Sequence, residues 1–170
     1  MELSNYEEMA RAKTALDEKR HEAALYILHY AEYLKAYREN KAEYMAKKKR
    51  NGAASASKPG KPTESEAVAS AMYDESHEEY YWLKAVEIVR RGLSERKRLF
   101  VDIRVDAEKA KGHVFPSGRK TWVPYVQKKY SEILEKRFSE TGKWLSYDVM
   151  NKWWQEIVSR VVMIFDCVNI

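Results

Sequence analysis

The chain has 170 residues, enough for one domain or two small ones with a core of their own. A single cysteine, Cys167, excludes a disulfide framework and points to a reducing, cytoplasmic setting, while 45% apolar and 34% charged residues fit a soluble folded chain rather than a disordered one. No apolar run reaches the roughly 20 residues of a membrane span, the Met1-Glu2-Leu3 start lacks a signal-peptide pattern, and a net charge of +5 hints at an anionic partner.

Glycine and proline divide the chain. Residues 1–51, 63–91 and 143–170 contain neither, and each is rich in residue types that lose little freedom in a helix. An all-α fold of five to six helices is expected, with an N-terminal helical hairpin over 1–92 and a basic helical portion over 93–170. In the first stretch, Ala24, Ile27, Ala31 and Leu34 recur at helical spacing beside a stripe of Tyr26, Tyr30, Tyr33, Tyr37 and Tyr44. Upstream, Leu3, Tyr6, Met9 and Leu16 are spaced more loosely, which admits a break near residues 17–22. Residues 51–62 have the Gly/Ser/Pro composition of a flexible linker, and Thr63 with Glu66 forms a capping box for the next helix.

That helix is expected to carry Val68, Met72, Trp82, Val86, Val89 and Leu93 on one face, ending near Gly92. Ser94 caps a third helix bearing Leu99, Phe100 and Ile103, and residues 111–121 read as a loop. Thr121 caps a helix with Pro124 in its first turn and Val126, Tyr130, Ile133 and Leu134 on its inner side. Thr141-Gly142-Lys143 breaks it. Ser146 and Asp148 then open the last and most apolar helix, with Met150, Trp153, Trp154, Ile157, Val161, Ile164 and Phe165.

Charge is distributed in blocks. Residues 41–61 carry +6 and residues 95–152 carry +6, whereas 1–40 carry −2, 62–94 carry −4 and 153–170 carry −1. The acidic 62–94 segment is placed to pair with one of the basic blocks. The first block holds Lys47, Lys48, Lys49 and Arg50, read either as a helix C-terminal cap with a solvated tail or as an arm touching phosphate. The second coincides with a helix-turn-helix-like pair, in which the start of the last helix would enter a DNA groove. Tyr147, Asn151 and Lys152 would then face base edges, and Arg119, Lys120, Lys128, Lys129 and Lys143 would contact phosphates. Its first helix and turn are longer than the usual motif, so an ordinary helical hairpin fits equally well.

Other chemistry finds little support. Glu18/His21 and Asp74/His77 have the i, i+3 spacing of bundle metal sites, but the first lies in a fully polar stretch. The run Asp74-Glu75-Ser76-His77-Glu78-Glu79 lacks the second acidic pair that magnesium-dependent hydrolysis would need. No phosphate loop, nucleophile elbow or zinc spacing occurs, so no enzyme, cofactor or metal is implied. Cys167 reads as a small packing residue, His29 as a core or interface histidine, and Trp153-Trp154 as core or dimer interface rather than a base-stacking platform.

Val86-Glu87-Ile88-Val89-Arg90-Arg91-Gly92-Leu93, then Arg96-Lys97-Arg98-Leu99-Phe100-Val101-Asp102-Ile103-Arg104, then Arg119-Lys120-Thr121-Trp122 and a terminal apolar helix resemble the RinA/ArpU-type phage transcriptional regulators over residues 64–165. The resemblance implies a sigma-factor-region-4-like use of C-terminal helices on promoter DNA. The functional expectation is therefore a non-enzymatic DNA-binding regulator, acting as a homo-oligomer on double-stranded DNA, with RNA polymerase as a further partner. The alternative is a helical adaptor or a phage assembly or packaging component.

Overall fold

The structure is a computed structural model and describes residues 2–53, 62–110 and 122–169. Among these there is no strand, and seven helices follow one another: α1 (Glu2–Leu28), α2 (Tyr30–Ala53), α3 (Pro62–Glu75), α4 (Glu78–Gly92), α5 (Glu95–Lys109), α6 (Trp122–Phe138) and α7 (Tyr147–Val168). No helix among the described residues is long and apolar enough to cross a membrane.

The count exceeds the expected five to six because two breaks occur without glycine or proline. The helix runs unbroken through residues 17–22 and is interrupted at His29 instead. There the His29 carbonyl accepts from the N–H of both Glu32 and Tyr33, each at 3.0 Å, a locally tightened turn. Between α3 and α4, the Tyr73 carbonyl accepts from the Ser76 hydroxyl at 3.0 Å and from His77 Nδ1 at 2.7 Å. The imidazole also stacks on the Tyr73 ring, with centroids 3.8 Å apart. The Tyr73 carbonyl also accepts from the Ser76 N–H at 3.2 Å while the His77 N–H turns to the Asp74 carbonyl at 3.3 Å, so side chains compete for the acceptor a continuing helix would offer to His77, and the helix ends.

This second break overturns one expected face. Val68 and Met72 are each 55% exposed, while Ala69 and Tyr73 turn inward. Residues 68–93 do not share a single helical axis, so α3 packs on α2 while α4 turns into the core.

At the centre, Trp82 is flanked by Tyr26, at 5.7 Å between centroids, and by Phe165, at 3.7 Å. Around this stack, Ile27, Val86, Phe100, Val126, Met150 and Val161 are buried in one cluster, so residues on both sides of Gly92 share a core. The most extensive helix contact is α4 with α7, followed by α5 with α6. Near the other end of the core, Arg104 is buried with its guanidinium 4.5 Å from the Trp122 ring and 5.5 Å from Trp154. Its Nη1 donates to Glu108 at 3.0 Å. Trp153 meets Phe100 edge-on at 5.8 Å, so both tryptophans of the pair are engaged in packing. Cys167, expected to pack, is instead exposed.

The acidic segment does pair with a basic one. Lys41 meets Asp74 at 2.5 Å and Lys49 meets Glu66 at 3.3 Å, binding α2 to α3. The linker expected over 51–62 is shorter at its start, because α2 continues to Ala53; residues 54–61 lie outside the described part.

Candidate nucleic-acid interface

The candidate site lies where α6, the turn after it and the first turns of α7 meet. Helix α6 buries Val126, Tyr130 and Leu134, spaced at four residues, and this leaves Lys128, Lys129 and Lys136 exposed on its outer side, while Arg137 is exposed at the helix end in line with the buried stripe. At its end Ser139 takes a left-handed φ of 53° and the Glu140 N–H reaches back to the Leu134 carbonyl at 3.3 Å, so that an otherwise unpaired carbonyl of the last turns is satisfied. Gly142 follows at φ 72°, a backbone conformation that glycine adopts without strain.

Three contacts hold the turn. Glu140 pairs with Arg96 of α5 at 2.5 Å and with Lys143 at 3.1 Å. Hydrogen bonding from Lys143, with Arg96 adding to it, holds the Glu140 carboxyl below the ordinary carboxylate range. The Gln127 side chain donates to the Leu145 carbonyl at 3.0 Å, tying the middle of α6 to the turn. Ser146 then caps α7 by accepting from the Val149 N–H at 3.3 Å, as the sequence predicts.

Helices α6 and α7 do not form a compact helix-turn-helix unit. Helix α6 lies chiefly on α5, and α7 on α4 and α1. Direct contact between them includes the edge of Tyr130 on Trp153 at 6.3 Å. A turn of eight residues separates the two helices, so their axes need not pack on each other.

The residues singled out in the sequence fare differently. Tyr147, Asn151 and Lys152 are all exposed over the first two turns of α7, with Tyr147 and Asn151 four residues apart on one face. Lys128 is exposed, Lys129 lies 3.7 Å from Glu132, and Lys143 is held by Glu140. Arg119 and Lys120 lie outside the described residues, as does Thr121. The first basic block is not a free arm where it is described: residues 47–50 form the closing turns of α2. Lys47 pairs with Glu43 at 2.7 Å, Lys49 with Glu66, Lys48 sits 5.9 Å over the Tyr44 ring, and Arg50 donates to the Ala46 carbonyl.

Trp144, which is not among the residues singled out in the sequence, is 62% exposed next to Lys143 in the chain and three residues before Tyr147. Its position in a connecting turn, outside any apolar periodicity, was the available signal. Nor are Lys136 and Arg137 among those residues; both stand exposed in the last turn of α6.

No group of three or more His, Cys, Asp or Glu among the described residues could hold a metal ion. Glu18 and His21 are exposed on α1, and Asp74 and His77 are occupied by Lys41 and Tyr73 respectively. No protein-family model matches the chain, and neither does any curated protein or solved structure.

Proposed function

We propose that the protein is a non-enzymatic DNA-binding protein, a phage-type transcriptional regulator that contacts double-stranded DNA through the outer side of α6 and the start of α7. One observation carries the reading. Lys128, Lys136, Arg137 and Lys152 are exposed and have no ion-pair partner within 4.0 Å among the described residues, and Trp144 in the turn and Tyr147 at the start of α7 are exposed as well. Unpaired surface cations cost no ion pair when they meet phosphate, and their contacts release condensed counterions. Asn151, one turn beyond Tyr147, has the amide that can pair with adenine.

A gel-shift titration of duplex DNA at two salt concentrations tests this. Affinity should fall by roughly 0.9 log units per log salt for each phosphate neutralised. Lys128→Glu with Lys129→Glu should weaken binding without changing the circular dichroism spectrum, and unchanged affinity would overturn the proposal.

A second reading draws on a different property of the same patch. Trp144, Tyr147 and Val149 are 62, 45 and 38% exposed, three apolar side chains within six residues that a protein partner or a second copy could cover. In that reading the chain is an adaptor or a phage assembly component. Light scattering beside the gel shift separates the two, since a defined oligomer without DNA affinity favours the adaptor.

A further inference from the structure

A cleft of about 310 Å³ runs between α2 and α4, walled by Tyr37, Arg38 and Lys41 on one side and by Tyr80 and Lys84 on the other. It meets a second cleft, of about 420 Å³, at Tyr30 and Glu87, which line both; Arg90, Arg91 and Arg98 complete the second. The joined groove is thus edged by six cations from three helices, against two carboxylates, Asp74 and Glu87. It lies away from the residues of α6 and α7 discussed above, and most of its lining belongs to segments that are acidic by sequence.

Three of these cations are already engaged: Lys41 with Asp74, Arg90 with Asp102 and Arg91 with Glu87. The other three have no carboxylate within 4.0 Å among the described residues. Arg38 is exposed, Lys84 lies 5.4 Å over the Tyr80 ring, and Arg98 donates to the Leu93 carbonyl at 3.1 Å. Tyr30, Tyr37 and Tyr80 line the groove and are half-buried; Arg90 lies 5.9 Å over the Tyr30 ring, the Tyr37 hydroxyl donates to Asp74, and the Tyr37 and Tyr80 rings stand 6.3 Å apart.

From this arrangement we infer that the groove binds a single-stranded nucleic acid, its phosphates on Arg38, Lys84 and Arg98 and its bases against the half-buried tyrosines. Cations along a backbone track, interleaved with aromatic planes, are what an unpaired strand requires. A duplex keeps its bases stacked inside and presents phosphates on a convex surface, so it would reach the rim cations but not the rings. The inference does not rest on the duplex-binding reading, which concerns other residues.

The test is fluorescence anisotropy with a labelled oligothymidylate of about 15 nucleotides, a length that spans a groove of this kind. The same sequence as duplex and a polyglutamate competitor are run beside it. Wild type should bind the single strand, and the combined Arg38→Gln, Lys84→Gln, Arg98→Gln protein should bind it at least about tenfold more weakly, with the log–log salt slope reduced by about 2. The single Arg38→Gln and Lys84→Gln proteins, each changed at one exposed or ring-stacked side chain, should show part of the loss if the combined protein folds poorly. The Lys128→Glu, Lys129→Glu protein should bind the strand as wild type does, which keeps this test apart from that of the duplex site. Absence of binding to oligothymidylate, unchanged affinity after the triple substitution, or equal competition by polyglutamate would each overturn the inference. So would an equal loss of duplex affinity in the triple variant.

Discussion

Trp82 and Phe165 lie face to face, with ring centroids 3.7 Å apart and planes within 9° of parallel, and this contact joins α4 to α7 at the middle of the core. The indole N–H of Trp82 is buried without a hydrogen-bond partner. The two rings therefore differ in what their removal would cost. Phe165→Ala opens a ring-sized cavity and should lower stability by about 3–5 kcal/mol. Trp82→Phe loses some volume but also removes an unsatisfied donor, whose burial costs about 1–3 kcal/mol, so its net effect should stay within about 1 kcal/mol. Urea unfolding of both variants checks this; Trp82→Phe as damaging as Phe165→Ala would show that the indole N–H is satisfied.

Ser139 occupies a position that glycine usually fills. Its φ of 53° is in the left-handed region, where a Cβ crowds the backbone at a cost of roughly 1–2 kcal/mol. Ser139→Gly should stabilise the protein by about 0.5–1 kcal/mol, part of the gain being offset by the freer unfolded chain. Ser139→Val should destabilise it. Thermal melts of the two variants should shift in opposite directions, and a lower Tm for Ser139→Gly would show that Ser139 does not hold this left-handed conformation.

Acid should loosen the protein through Glu140 and Glu156. Hydrogen bonds from Lys143 and Lys97, respectively, hold these carboxyls below their ordinary value of 4.5. A carboxyl lowered in the folded state contributes stability above its unfolded value, and loses that contribution as pH falls through the folded value. Glu22 has the opposite sign: burial and then the nearby Glu78 raise it, so protonation relieves the folded state. With Glu140 and Glu156 both lowered, and Glu43 likewise through Lys47, the net expectation is a Tm that drops as pH falls below about 4.5. Glu140→Gln should flatten that drop, and melts at pH 7 and pH 3 that fall in parallel with wild type would count against it.

Much of the local structure was legible. Ser94 accepts from the Lys97 N–H and Ser146 from the Val149 N–H, two of the four caps that the sequence marked; Thr63 falls inside α3, which already begins at Pro62, and Thr121 lies outside the described residues. Val126, Tyr130 and Leu134 are buried at the spacing that named them. The breaks at His29 and at Ser76-His77 were not legible, because they arise from which group wins a carbonyl rather than from residues that forbid a helix. In the candidate site, exposure of Tyr147, Asn151 and Lys152 followed from the polar side of an amphipathic helix. The contact of Arg96 with Glu140 did not, since Arg96 comes from α5 and meets the carboxylate that Lys143 holds locally only once the helices pack.

By itself the sequence determined that the chain is helical, where several helices start, and that its positive charge falls in two blocks of +6. These are local properties, set by backbone propensity, capping and composition. Only the tertiary structure decided how the charge is used. Lys41 and Lys49 of the first block are paired with the acidic α3, while Arg38, Lys84 and Arg90, from segments acidic in sum, line one groove. The reason is geometric: net charge adds residues along the chain, whereas a partner meets the faces that packing leaves outward.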